Sequence, residues 1–128
     1  MSLIKDREGM KQLMDFTNMQ VGTMYPTDID GLLEYKDRAY FIFEVKHKSN
    51  KKLSTGQKLA LERLTDDLAK TGKEVMCAIV SHNIDKEEDV DVSKCPVHLV
   101  RYKGKWIDAR EYNFILVDLL EAFLHTLV

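Results

Sequence analysis

Asp28 and Asp30 in Pro26-Thr27-Asp28-Ile29-Asp30-Gly31, with Glu44 and Lys46 in Glu44-Val45-Lys46, are the residues whose types and spacing can do chemistry in this chain. Glu44 and Lys46 close the run Ala39-Tyr40-Phe41-Ile42-Phe43. That run is apolar without alternation and rich in aromatic and β-branched residues, so it reads as a strand buried on both faces. Stripping a carboxylate or an ammonium of water there is costly unless the charge is paired or bound. Carboxylates brought face to face repel, and a divalent cation is the simplest relief. Oxygen-only donors at close range suit Mg²⁺ or Mn²⁺ rather than zinc.

A β-hairpin is the element that would bring these groups together. Leu32-Leu33-Glu34-Tyr35 reads as one strand, Ala39 to Lys46 as the next, and Lys36-Asp37-Arg38 as the polar turn. A three-residue turn places Asp30 directly across from Glu44 and Asp28 across from Lys46, with opposed Cβ atoms roughly 4.5–5.5 Å apart. A two-residue turn at Asp37-Arg38 would instead set Asp30 against Val45 and send Glu44 to the other face. The site therefore requires an odd loop or a bulge.

The remaining elements follow from periodicity and punctuation. Residues 3 to 19 read as a helix weakened by Gly9, and Gly22 and Pro26 break the connector after it. Residues 46 to 53 form a lysine-rich loop. Ser54-Thr55-Gly56-Gln57 is a capping-box signature opening a helix to about Lys70, with Leu61, Leu64 and Leu68 as its stripe and Gly72 as its stop. Val75 to Val80 reads as a central strand, parallel to the Ala39 strand because strand–helix–strand order requires a crossover. Residues 85 to 91 are an acidic surface loop whose spacing matches no Ca²⁺ loop. Val97 to Val100 and Lys105 to Ala109 read as short strands. Phe114 to Val128 is a final helix, apolar on nearly every side, which packs under the sheet or forms half of a homodimer interface.

Composition sets the outer bounds. With 128 residues, 45% hydrophobic and 31% charged, the chain suits a single domain spanning residues 1–128. No stretch approaches the roughly 20 apolar residues that span a bilayer. The charged start, Met1 to Glu8, lacks the apolar core of a signal peptide. Two cysteines, Cys77 and Cys95, suggest neither a disulfide framework nor a zinc knuckle, and a reducing cytoplasm is the expected compartment. A net charge of −2 advertises no nucleic-acid binding globally, yet Lys46, Lys48, Lys51, Lys52 and Lys58 cluster beside the carboxylates. His47, His82, His98 and His125 show no ligand spacing. Trp106 is expected in the core, and no serine or cysteine nucleophile arrangement stands out.

The order of elements and the residues Asp30, Glu44-Val45-Lys46 and Gln57 resemble the PD-(D/E)xK phosphodiesterase superfamily, of restriction-endonuclease-like fold. The resemblance covers about residues 1 to 82 and points to small phage-type or Holliday-junction-resolvase-like branches. It implies an α/β fold with a mixed sheet flanked by helices. It implies a Mg²⁺- or Mn²⁺-dependent nuclease acting on DNA, possessed of an Asp30, Glu44 and Val45-carbonyl metal site. Lys46 would orient or deprotonate the attacking water, and Gln57 would help orient substrate or water. Glu8 is similar to a helix-one glutamate that resolvase-like members add as a metal ligand. Lys48, Lys51, Lys52 and Lys58 would hold the nucleic acid.

Each residue also has a plainer reading. Asp30 can initiate the turn before Gly31, leaving Asp28 as the ligand, although the separation from Glu44 favours Asp30. Glu44 and Lys46 can form an ordinary ion pair, Gln57 can serve only the capping box, and Glu8 can belong to a solvated helix face. The rival functions are a non-catalytic nucleic-acid-binding module and a protein-interaction domain that retain the same fold.

Overall fold

The apolar run beginning at Ala39 becomes the second of five strands in one mixed sheet. The computed structural model of the chain describes residues 15–24, 26–47, 53–84 and 88–127. Strand β1 (Gly31–Tyr35) pairs antiparallel with β2 (Ala39–His47), and β2 pairs parallel with β3 (Glu74–His82). Strands β4 (Val97–Tyr102) and β5 (Lys105–Asp108) continue the sheet as an antiparallel meander in the order β1-β2-β3-β4-β5. Lys103 and Gly104, both at positive φ, make the tight β4–β5 turn, whose primed geometry matches the strands' twist.

Helix α1 (Thr55–Ala69) covers one face and helix α2 (Leu116–His125) the other. Alternation along β3 shows the division. Val75, Cys77 and Ile79 meet Leu61, Leu64 and Leu68 of α1, whereas Met76, Ala78 and Val80 pack with Leu116 and Phe123 of α2. A strand buried on both faces needs no polar alternation, which is why β2 and β3 read as continuous apolar runs. Burial pushes the Cys77 thiol up to about 12, so it is an inert core residue.

The hairpin turn has the register that the site needs. Lys36 and Asp37 adopt positive φ, and Gly31 pairs with Phe43, Leu33 with Phe41 and Tyr35 with Ala39. Three residues therefore separate the strands, the odd loop rather than the two-residue one. Helix α1 starts as its capping signature predicts, since the Gln57 backbone N–H donates to Ser54 Oγ at 3.1 Å.

Several expectations are corrected. The helix expected over residues 3 to 19 is not formed at residues 15 to 19. Asp15 accepts hydrogen bonds from both the backbone N–H and the hydroxyl of Thr17, an Asx turn that opens a 3₁₀ turn at Thr17–Met19. Residues 3 to 14 of that expected helix lie outside the described residues. Strand β2 runs on to His47, so the lysine-rich loop begins later than expected. The last helix begins at Leu116, after a left-handed Asn113 ends a short 3₁₀ turn. Nor is it apolar all round. Leu116 and Phe123 are buried against the sheet, while Asp118, Glu121 and His125 are exposed. Among the described residues, no helix is long and apolar enough to cross a membrane.

Candidate active site

Pleating places Ile42, Glu44 and Lys46 on the α1 face of β2, toward the ends of the parallel pair β2–β3. In open α/β sheets this carboxyl end is where ligands are received. Helix α1 covers Ile42, whereas further along the strand Glu44 is buried and Lys46 stays partly exposed. A cleft of about 540 Å³ opens there, lined by Pro26, Asp28, Glu44, Lys46, Ser54 and Gln57 among others. The positive end of α1 thus faces the same space, an arrangement favourable to anions.

Asp30 comes to Glu44 by register. The β1–β2 pairing continued one step beyond Gly31 and Phe43 sets the two acids opposite each other. Asp30 is then held by its own side chain, because the Val45 backbone N–H donates to its Oδ2 at 2.7 Å. Gly31 beside it leaves room for the tip of a neighbouring ring. A Cβ there would lie 2.0 Å from the Phe43 ring, which covers the glycine. Asp28 is placed differently. It precedes the paired strand and lines the cleft with Glu44 and Lys46.

Glu44 is only 3% exposed, and its Oε2 has no hydrogen-bond partner among the described residues. Oε1 lies 3.5 Å from Lys46 Nζ. Burial, together with the hydrogen-bond contact and charge of the Asp30 carboxyl, pushes the Glu44 carboxyl up from 4.5 to about 7. The Lys46 ammonium and the Asp30 backbone pull the other way without prevailing. An ion pair placed only for stability would show the opposite balance, its carboxyl held low by the ammonium. Here a second carboxylate has been added to an already costly position.

These donors fit a divalent cation. One buried carboxylate oxygen is orphaned, a second carboxyl faces it, and all the available donors are oxygens. Among the described residues, no three His, Cys, Asp or Glu side chains cluster into a complete metal cage. Mg²⁺ does not require one, because it commonly binds through one or two carboxylates and keeps several waters.

The other expected site residues divide clearly. Gln57 lies at the cleft wall, where its backbone N–H is taken by the Ser54 cap. Lys58 stands over the Trp106 ring at 5.4 Å. Glu8, Lys48, Lys51 and Lys52 lie outside the described residues. Trp106 packs against the α1-side core as expected and donates Nε1–H to Glu62 at 2.7 Å. His82 caps the end of β3 by accepting the Ile84 N–H at Nδ1, 3.1 Å away, and meets His47 edge to face.

Sequence reasoning missed Ser81 and His98. Ser81 is the β3 partner of Lys46 and is 4% exposed, and its Oγ lies 2.8 Å from His98 Nε2. A register shift brings them together. Ile79 pairs with Leu99 but Val80 with Val97, so His98 is the extra residue of a bulge. Bulges re-aim side chains in this way, and single-chain alternation carries no signal for them.

Comparison with known proteins finds no matching family model, no matching curated protein and no matching solved structure.

Proposed function

We propose that this chain is a divalent-metal-dependent nuclease of the PD-(D/E)xK kind, hydrolysing phosphodiester bonds of DNA. The observation that carries the reading is Glu44. A buried carboxylate with an orphaned oxygen, set against a second carboxyl and beside a lysine, costs stability that a purely structural residue would not demand.

Asp30, Glu44 and the Val45 carbonyl would hold the cation, with Asp28 the nearest further carboxylate on the cleft wall. Bound there, Mg²⁺ or Mn²⁺ would neutralise charge on the scissile phosphate and lower the pKa of water. The chain's own groups do the rest. The Val45 N–H fixes the Asp30 carboxylate, so its orientation is set before substrate arrives. Lys46 projects from the same strand face as Glu44, one step further along, and presents its ammonium to the cleft. There it orients the attacking water and stabilises the negative charge that builds on phosphorus oxygens. The N-terminus of α1, carrying Gln57, adds backbone dipoles to the opposite wall.

The restriction-endonuclease-like identity, the resolvase-like or phage-type placement and the DNA partner belong to this proposal. So does a homodimer through α2, whose exposed surface would then be the polar Asp118, Glu121 and His125 side rather than its apolar stripe.

The test is cleavage of supercoiled, single-stranded and four-way-junction DNA in Mg²⁺, Mn²⁺ or EDTA. Wild type should cut at least one form only with metal, and Glu44→Ala and Lys46→Ala should each lose about 100-fold or more, the scale of losing an electrostatic catalytic group. A wild type that cuts none, or variants that cut equally well, would defeat the proposal.

A further inference from the structure

A second cavity, of about 270 Å³, adjoins the cleft and shares Lys46 with it. It lies over the β3–β4 half of the sheet, with Ile79 and Leu99 in its apolar lining. Its polar lining is Lys46, Lys58, Arg110, Ser81 and His98, and no carboxylate lines it among the described residues. Three basic and two further hydrogen-bonding side chains thus face one hollow, with the carboxylates that pair Lys46 and Arg110, Glu44 and Asp108, standing outside its lining.

Each group is held in place by something other than a ligand. Lys58 sets its ammonium over the face of Trp106, 5.4 Å from the ring centroid, in a residue that is otherwise exposed. Asp108 holds Arg110 through Nε and Nη2, so the Nη1 edge of the guanidinium is not engaged by that pair. The β-bulge turns His98 onto Ser81, fixing a hydroxyl on the buried floor beside Lys46. An ammonium, the Nη1 edge of a guanidinium and a hydroxyl are groups that can donate to phosphate oxygens. At about 30 Å³ per water, the hollow takes a phosphate group with several waters.

We infer that this cavity is a second phosphate-binding subsite, in which Lys58, Arg110 and Ser81 hold a phosphate neighbouring the one attacked at Glu44. Lys46, lining both spaces, sits between the two phosphates. The strand backbone then runs from the Asp28–Glu44 cleft across the ends of β2 and β3 to Arg110. The identity of the ligand as nucleic-acid backbone rests on the nuclease reading, but the affinity for phosphate does not.

The experiment titrates the protein in EDTA with inorganic phosphate and then with a short oligothymidylate, following Trp106, the single tryptophan, by fluorescence. Phosphate that draws Lys58 off the ring changes that emission. A saturable response is expected in wild type, about tenfold weaker in Lys58→Gln and in Arg110→Gln, the worth of one charge-assisted contact. Both substituted side chains are exposed, so the variants should fold, as circular dichroism would verify. A response that does not saturate, or affinities in both variants within twofold of wild type, would overturn the subsite. The two readings fail separately. Saturable phosphate binding without DNA cleavage keeps the subsite and defeats the nuclease, whereas cleavage without phosphate binding does the reverse.

Discussion

On the proposed reading Glu44 must be charged to hold a cation, yet it is buried beside another carboxyl. Its sign in the metal-free protein follows from the folded value near 7 against 4.5. The native state binds this proton more tightly than the unfolded chain does. Stability therefore falls as pH rises through that window, and the whole penalty is present above it. Asp66 and Asp108 behave oppositely. The Arg101 and Arg110 guanidinium groups lower their carboxyls, Asp108 to about 2, so their contribution is lost only in acid. Melting temperature measured in EDTA should thus decline for wild type across the 4.5-to-7 window and stay flatter for Glu44→Gln. At pH 8 the variant should be the more stable by on the order of 1 kcal/mol, the scale of one pKa unit. Added Mg²⁺ should close that gap by stabilising wild type alone. A variant less stable than wild type at pH 8 would mean that Glu44 serves the fold.

Between elements, two features decide whether the site is held. The first is the hairpin. Gly31 lies under Phe43 and next to Asp30, so Gly31→Val forces the ring aside and crowds the residue beside the aspartate. Cleavage should fall about tenfold or more, because small displacements of catalytic groups are costly. Urea unfolding should change little by comparison, since β1 is a largely exposed edge. Equal losses in both would assign Gly31 to stability alone. The second is the joint between α1 and the meander. Arg101, 9% exposed, donates Nε–H to Asp66 Oδ1 at 3.0 Å and a second bond to Oδ2 at 2.5 Å, with Glu62 and the Trp106 ring alongside. Arg101→Ala should cost roughly 2–3 kcal/mol in urea unfolding, somewhat below a fully buried pair because Asp66 keeps partial access to water. A change under about 0.5 kcal/mol would show the network to be a surface ornament. The hairpin register and the Ser54 cap were legible because turn length and capping are local. The Arg101–Asp66 joint was not, because its partners are 35 residues apart and only sheet order brings them together.

At the scale of the whole molecule, the element order carried the architecture. A capped helix between two apolar runs required β2 and β3 to lie parallel, and that parallel pair sets Glu44, Lys46 and Ser81 at one end of the sheet. Element ends were less legible: the Asp15 side chain competes with helical periodicity by taking the Thr17 N–H, and α2 starts late because Asn113 turns left-handed before it. The choice between Asp28 and Asp30 also needed three dimensions. Only Asp30 is seen bonded to the Val45 N–H opposite Glu44, whereas Asp28 reaches the cleft from a segment outside the strand. These placements converge on one claim, that Glu44 and Asp30 share a divalent cation. Anomalous diffraction from a crystal soaked in MnCl₂ tests it most directly. The account predicts a Mn²⁺ peak in contact with Glu44 Oε2 and the Asp30 carboxylate, at the roughly 2.0–2.6 Å of oxygen ligands to such cations. A map with no such peak, and Lys46 Nζ closed onto both Glu44 oxygens, would contradict it.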